Sequence, residues 1–402
     1  MSAPARTTGL VLGGGGARAA YQVGVVAAIE RIARESGAPT GNPFQVIAGT
    51  SAGAIIAAAL ASHADRWSEG IERLLATWTG FHAAQVFRSD AAGIAQTGAQ
   101  WLSLFTAGWL LSGLRRTAPR SLLDNTPLED LLRKSLPLAR LPQVMAEGHL
   151  HGLAVCASSY SSGNHVTFIQ SSRPIESVLR AHRRVVRANI EIEHLLASSA
   201  IPFAFPAVRL PMGSRHEWFG DGSMRQAAPI SPAIHMGADR VLVVGAGRLQ
   251  EPPAEAALDS DYPTLAQVAG HAMASIFLDS LALDVERAQG TNQTIALLEP
   301  EARARTHLRP IDVLVISPSE RIDDIAARHL RALPTPVRAM LRAVGVGGTG
   351  RDARGTTLAS YLLFEAPFTR DLIALGQADA LSRREAIRSF FGWAETPRFR
   401  ND

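Results

Sequence analysis

Cysteine is almost missing from this chain. Its 402 residues hold one, Cys156, so an internal disulfide and a cysteine-rich metal site are both excluded. Cys156 lies in the apolar stretch Leu153 to Ala157, which reads as a buried structural thiol and fits a reducing, cytoplasmic compartment. Lysine is as scarce, with Lys134 alone among 40 basic residues. A phosphate-binding loop of the Gly-Lys-Ser/Thr type is therefore impossible near the glycines of the N-terminal region. The net charge of +4 is small for this length. It argues against nucleic acid as a partner and permits peripheral contact with an anionic membrane surface. No uninterrupted apolar run reaches the roughly 18 residues of a membrane span. Met1 to Thr8 is polar and Gly9 to Leu12 is short, so no signal peptide is expected. No HExxH and no paired CxxC occurs, and neither metal nor cofactor is expected.

What is present is a well-supplied core. Hydrophobic residues make up 47% and charged residues 19%, as in a globular protein of one large or two ordinary domains. The order of elements at the start is informative. Gly9 to Leu12 reads as a strand, Gly13 to Gly16 as a glycine loop, and Val23 to Ile32 as a helix with an apolar face. Phe44 to Ala48 reads as a second buried strand. It runs into Gly49-Thr50-Ser51-Ala52-Gly53 and an alanine-rich helix up to Ser62. The pattern β–loop–α–β–turn–α predicts a parallel sheet with right-handed crossovers.

Further strands are expected at Leu150 to Ser158, His165 to Gln170 and Arg240 to Gly245, with a last core strand at Asp312 to Ile316. The first two are spaced as a hairpin. Helices are expected at Trp67 to Trp78, Leu122 to Leu136, Ile190 to Ser198 and Leu265 to Arg287. Phe87 to Arg120 carries Trp101, Phe105, Trp109 and several leucines before Arg115, Arg116 and Arg120. It fits either a core helix pair or a lid with a basic margin. After Pro318 the pattern becomes helical, and the basic amphipathic stretch Arg383 to Phe391 fits a docked helix or a membrane-surface contact.

Gly49 to Gly53 matches the nucleophile elbow, in which a serine sits on a sharp turn from strand to helix. The turn lifts the Ser51 hydroxyl above the sheet and sets it at a helix N-terminus. Acyl transfer also needs a base and donors for an oxyanion. Gly13 to Gly16 supplies candidate donors, because a neighbouring parallel strand brings that loop to the same sheet edge. Arg18 is placed to orient the loop or attract an anionic substrate. A dinucleotide loop is a poorer fit, since the third glycine of that pattern falls at Arg18. Asp221, between Gly220 and Gly222, fits a base at the sheet edge or an Asx turn bonded to its own backbone. The histidines after it, including His235, His271, His307 and His329, lie in no strand-end loop suited to a Ser–His–Asp triad.

Four blocks in order carry a resemblance. They are Gly14-Gly15-Gly16-Ala17-Arg18 with Tyr21-Gln22-Val23-Gly24; Gly49 to Gly53; Ala197-Ser198-Ser199-Ala200-Ile201-Pro202 with Phe205-Pro206; and Asp221-Gly222 followed by Pro229 and Gly237-Ala238-Asp239. Together they resemble the patatin-like phospholipases, serine lipid acyl hydrolases with a Ser–Asp dyad. The resemblance implies a three-layer α/β/α fold with a mostly parallel central sheet over residues 8–318, residues 87–120 being a lid-like insertion. A helical extension follows at 319–402. It implies Ser51 as nucleophile, Asp221 as base, Gly14, Gly15 and Gly16 as the oxyanion hole, and Arg18 as a substrate contact. The expected substrate is a phospholipid or another fatty-acyl ester. Three positions depart from the family pattern: Ala19, where glycine is usual, Ser223, where glycine or alanine is, and Ala228, where asparagine is. The first two motivate the alternative of a non-catalytic lipid-binding or regulatory protein on the same scaffold.

Overall fold

The computed structural model describes residues 6–90, 121–175, 179–180, 182–248, 262–348 and 354–393. Ten strands form one sheet. β1 (Thr8–Leu12), β2 (Val46–Thr50), β3 (Gly152–Ser159), β9 (Arg240–Val244) and β10 (Asp312–Ile316) run parallel in the order β10-β9-β1-β2-β3. Beyond β3 the sheet turns mixed. β4 (His165–Ser171) pairs with β3 antiparallel as the expected hairpin, and β6 (Arg183–Arg187) and β5 (Leu179–Arg180) follow.

Apart from the edge strand β10, the parallel strands are buried on both faces, so their residues alternate between two cores. Leu10, Leu12, Ile47, Leu153, Leu242 and Val244 point into the larger one. Val11, Val46, Ala48, Ala154, Val241 and Val243 point into the smaller. Helices α1 (Ala20–Glu35), α2 (Ala52–Ser62) and α3 (Trp67–Thr79) supply the larger layer. Residues 231–235 and 280–296 cover the other face, through Ala233, Leu281 and Val285. The result is the expected three-layer α/β/α arrangement.

One detail of register positions the site. β3 is longer than β2, and its first five residues pair with β2 as far as Thr50↔Cys156. Its next residue, Ala157, pairs instead with Asp221, the last residue of β8 (Arg215–Asp221). β8 runs antiparallel to β3 and is itself paired with β7 (Val208–Met212). The C-terminal ends of β2 and β8 therefore meet along β3, one residue step apart, roughly 3.4 Å.

The C-terminal helices pack into the same body. Ala366–Ser382 lies along α1, with Gly24 against the Ile373 backbone and Gly376 against that of Tyr21, where side chains would collide. The helix Arg384–Phe391 docks through Ile387 and Phe391, with Phe391 edge-on to Phe44 and stacked on Trp393.

The helix expected at Leu265 to Arg287 is longer, running to Ala296 through a π turn at Ser275–Asp279. By length and composition this segment passes as a membrane span, against the expectation of none. It is nevertheless built into the fold, since Phe277, Leu281 and Val285 are core residues and buried Asp284 accepts the Ile230 N–H at 2.9 Å. Residues 91–120, most of the lid-like segment, lie outside the described residues.

Candidate active site

Ser51 joins β2 to α2 with φ 56° and ψ −131°, a left-handed backbone that L residues rarely adopt. The turn is held from three sides. The Ser51 N–H donates to Ser198 Oγ at 2.9 Å, and its carbonyl accepts from the Ala54 N–H at 2.9 Å. A side chain on Gly53 would meet the carbonyl oxygen of Gly13 at 2.5 Å, so the elbow and the glycine loop are pressed together. The Ser51 hydroxyl is buried and has no hydrogen-bond partner of good geometry.

Asp221 is wholly buried at the end of β8. Its Oδ1 accepts the Ser223 N–H at 2.9 Å, which is the Asx turn read as the alternative to a base. Its Oδ2 is unpaired, so the turn uses only half of the carboxylate. Burial pushes the Asp221 carboxyl up to about 6, and hydrogen bonding from Ser51 and Ser223 draws it part of the way back. The Ser51 hydroxyl thus lies within the influence of Asp221 without a well-formed bond, as resting catalytic pairs often do.

The glycine loop follows β1 at the same sheet edge. The amide groups of Gly14, Gly15 and Gly16 donate to no described residue. Gly16 has φ +54°, and a Cβ there would strike the Tyr361 carbonyl. A Cβ on Gly14 would crowd Ser223 Oγ and the Phe277 ring. The loop is anchored by Gln22, whose Nε2 donates to the carbonyls of Gly13 at 2.8 Å and Val244 at 3.3 Å.

Arg18 is used differently from the expectation of a substrate contact. Its guanidinium is buried and committed to the C-terminal helices. Nε donates to Ser360 Oγ at 2.7 Å, and Nη2 meets Asp323 Oδ1 at 2.5 Å. The guanidinium also lies 4.1 Å above the Tyr361 ring, which stacks on Phe277 at 5.0 Å. Arg18 therefore fixes the glycine loop against residues 356–362, and its charge is offset inside the protein.

Several residues around the site carry no signal of their own in the sequence. Ser198 and Gln22 lie inside the four family blocks, which give them no role. His165 sits opposite Ser158 on β3, with its ring beside the Gly222 backbone and its Nδ1 without a partner among the described residues. Burial pushes His165 down to about 4, so at neutral pH it is an uncharged support for the Asp221 turn. Gln226 donates to Thr50 Oγ1 at 2.7 Å and ties that turn to the elbow. Cys156, pushed up to about 11 by burial, is the inert thiol expected.

Ser51 and Gly16 line a cavity between α2, α3 and residues 126–136. Its walls are apolar, with Ile55, Leu74, Trp78, Leu128, Leu132 and Phe205 among them. A buried hydroxyl with an unpaired carboxylate, beside free amides and an apolar cavity, can accept an acyl group.

The patatin-like phospholipase family model matches residues 10–234, more than half of the chain. The chain belongs to the patatin-like phospholipase family. The matched segment holds the glycine loop, Ser51 and Asp221, while the partners of Arg18 lie beyond it. No curated protein matches. Among solved structures, human GIVD cytosolic phospholipase A2 aligns at TM-score 0.45 and 12% identity, covering 97% of this chain and 61% of that one. VipD from Legionella pneumophila aligns at TM-score 0.33 and 14% identity, covering 93% and 67%. ExoU, a type III effector of Pseudomonas aeruginosa, aligns at TM-score 0.25 and 18% identity, covering 89% and 79%. The chain spans about three fifths of the human enzyme's length.

Proposed function

We propose that this patatin-like phospholipase family member is a serine hydrolase of lipid acyl esters, working through a Ser51–Asp221 dyad and an acyl-enzyme. One arrangement carries the reading. Among the described residues, Ser51 Oγ and Asp221 Oδ2 are buried together with no other partner, beside the amides of Gly14, Gly15 and Gly16, which donate to none of them. With its carboxyl near 6, Asp221 is a stronger base than an ordinary carboxylate and is still ionised roughly ten to one at pH 7.

Asp221 takes the proton from Ser51 as Oγ bonds to the ester carbon. The carbonyl oxygen becomes an oxyanion facing the glycine amides and the N-terminus of α2. Collapse breaks the ester C–O bond, and the departing alcohol leaves with the proton from Asp221. Water then gives a proton to Asp221 and adds to the acyl carbon. Ser51 departs, recovers that proton, and the fatty acid is released. The acyl chain occupies the apolar cavity that Ser51 lines, so a phospholipid or another fatty-acyl ester is the substrate class. Peripheral membrane contact accords with exposed Tyr262, Leu265 and Val268.

The test is turnover of an activated acyl ester by Ser51→Ala and Asp221→Asn. Each substitution lowers kcat at least about a thousandfold on this reading. Wild-type-like turnover in both variants overturns it.

A further inference from the structure

A second groove lies beside the dyad and shares none of the acyl cavity's lining residues. Its floor is shared with the catalytic turn. Ser223, whose N–H holds Asp221 Oδ1, lines it, as does Gln226, whose amide holds Thr50 beside Ser51. Ser223 Oγ is buried there without a partner, next to the position a side chain on Gly14 would occupy. The walls are basic. Arg183, Arg225 and Arg287 line the groove together with His182, and among the described residues no lining residue is a carboxylate.

Many arginines elsewhere in this protein are spent on acids; Arg133, Arg140 and Arg309 each hold an aspartate or glutamate. Arg183 and Arg225 make no ion pair among the described residues, and the charge of Asp284 acts on Arg183 only at longer range. Two carboxylates on the helix that lines the groove are engaged, Asp279 by Ser275 at 2.8 Å and Asp284 by Arg287 at 3.5 Å and the Ile230 N–H. His182 holds φ 65°, a strained backbone kept at the groove's edge. One buried carboxylate, Asp284, thus faces three arginines and a histidine, and an anion in the groove offsets the excess positive charge. The arginines' forked donors suit a phosphate.

We propose that this groove binds the phosphate of a phospholipid headgroup while the ester of the same molecule lies at Ser51. The proposal rests on the hydrolytic reading of the Ser51–Asp221 dyad. The acyl chain and the headgroup then occupy separate compartments, one apolar and one cationic, meeting at the dyad. In a glycerophospholipid the phosphate is only a few bonds from the ester, so one molecule can reach both. Arg183 and Arg225 become specificity residues for a phosphate-bearing substrate.

The experiment compares two esters that differ by the phosphate alone, palmitoyl-lysophosphatidic acid and palmitoylglycerol, below their micelle concentrations. The readout is the ratio of their kcat/KM values in the full chain. Wild type favours the phosphate ester, and Arg183→Ala/Arg225→Ala lowers the ratio about tenfold or more. Arg225→Lys, which keeps a charge but loses the fork, retains part of the preference. An unmoved ratio in the double variant overturns the headgroup site. So does slowing of palmitoylglycerol turnover by inorganic phosphate in a wild type that shows no preference, which marks a free-anion site. If wild type cleaves palmitoylglycerol and Ser51→Ala does not, an unmoved ratio refutes the groove and leaves the dyad standing. If wild type cleaves neither ester, both fall.

Discussion

Replacing Asp221 by asparagine separates function from stability. The carboxyl is raised from 3.8 to about 6 because it is taken wholly out of water. A rise of that size corresponds to roughly 3 kcal/mol charged against the folded state at neutral pH. The sign follows from where each state binds its proton. Below pH 3.8 the carboxyl is protonated folded and unfolded alike, and there is no penalty. Between 3.8 and 6 the unfolded chain releases the proton while the folded chain keeps it, so stability falls as pH rises. Above 6 the folded form ionises too and the loss levels off. The substituted asparagine carries no charge, and its carbonyl can still accept the Ser223 N–H. Asp221→Asn therefore unfolds at higher urea than wild type at about pH 7.5, by about 1–3 kcal/mol, with the difference shrinking towards zero near about pH 4. The same variant loses turnover. Urea midpoints of both proteins at several pH values make the measurement. An asparagine variant less stable than wild type at neutral pH, or a difference independent of pH, refutes the reasoning.

Backbone strain at the elbow gives a second test: Ser51→Gly relieves the left-handed φ and raises the urea midpoint by about 1 kcal/mol over Ser51→Ala, which keeps the strain. Arg18→Lys keeps the charge but loses the bond to Ser360 and the stack on Tyr361. It costs about 1–3 kcal/mol of stability and lowers kcat more than it raises KM, as read from steady-state kinetics on one ester. Filling the cavity with Ile55→Trp shifts preference from long-chain to short-chain p-nitrophenyl esters, measured as the ratio of their kcat/KM values.

Which parts of this arrangement can be read from the chain follows from what each part requires. The elbow is legible because its requirements are local: an apolar strand, small residues in a tight turn, and a helix. The parallel β1–β2 pair and the glycine loop are legible for the same reason. The approach of Asp221 to Ser51 is set by β3 outlasting β2 and accepting β8 in its place, which no pattern within β8 specifies. Its glycine-flanked turn leaves a base and an Asx turn both open, and the family blocks favour the base. Arg18 illustrates the limit best. Its position in the loop block suggests a role in orienting the loop or a substrate contact, whereas its partners, Asp323 and Ser360, lie 305 and 342 residues away in helices that read only as packed beside the core. Gln22 and Ser198 stand on otherwise apolar helix faces. Such residues announce a buried partner without naming it.

The Ser51–Asp221 dyad is the centre of the account, and covalent capture tests it most directly. A long-chain alkyl fluorophosphonate, followed by intact and peptide mass spectrometry, reads where and how fast the nucleophile reacts. The expected result is one adduct on Ser51 in wild type, none in Ser51→Ala, and labelling at least about a hundredfold slower in Asp221→Asn, roughly the contribution of a general base. No adduct in wild type, or an adduct that persists in Ser51→Ala, contradicts the dyad.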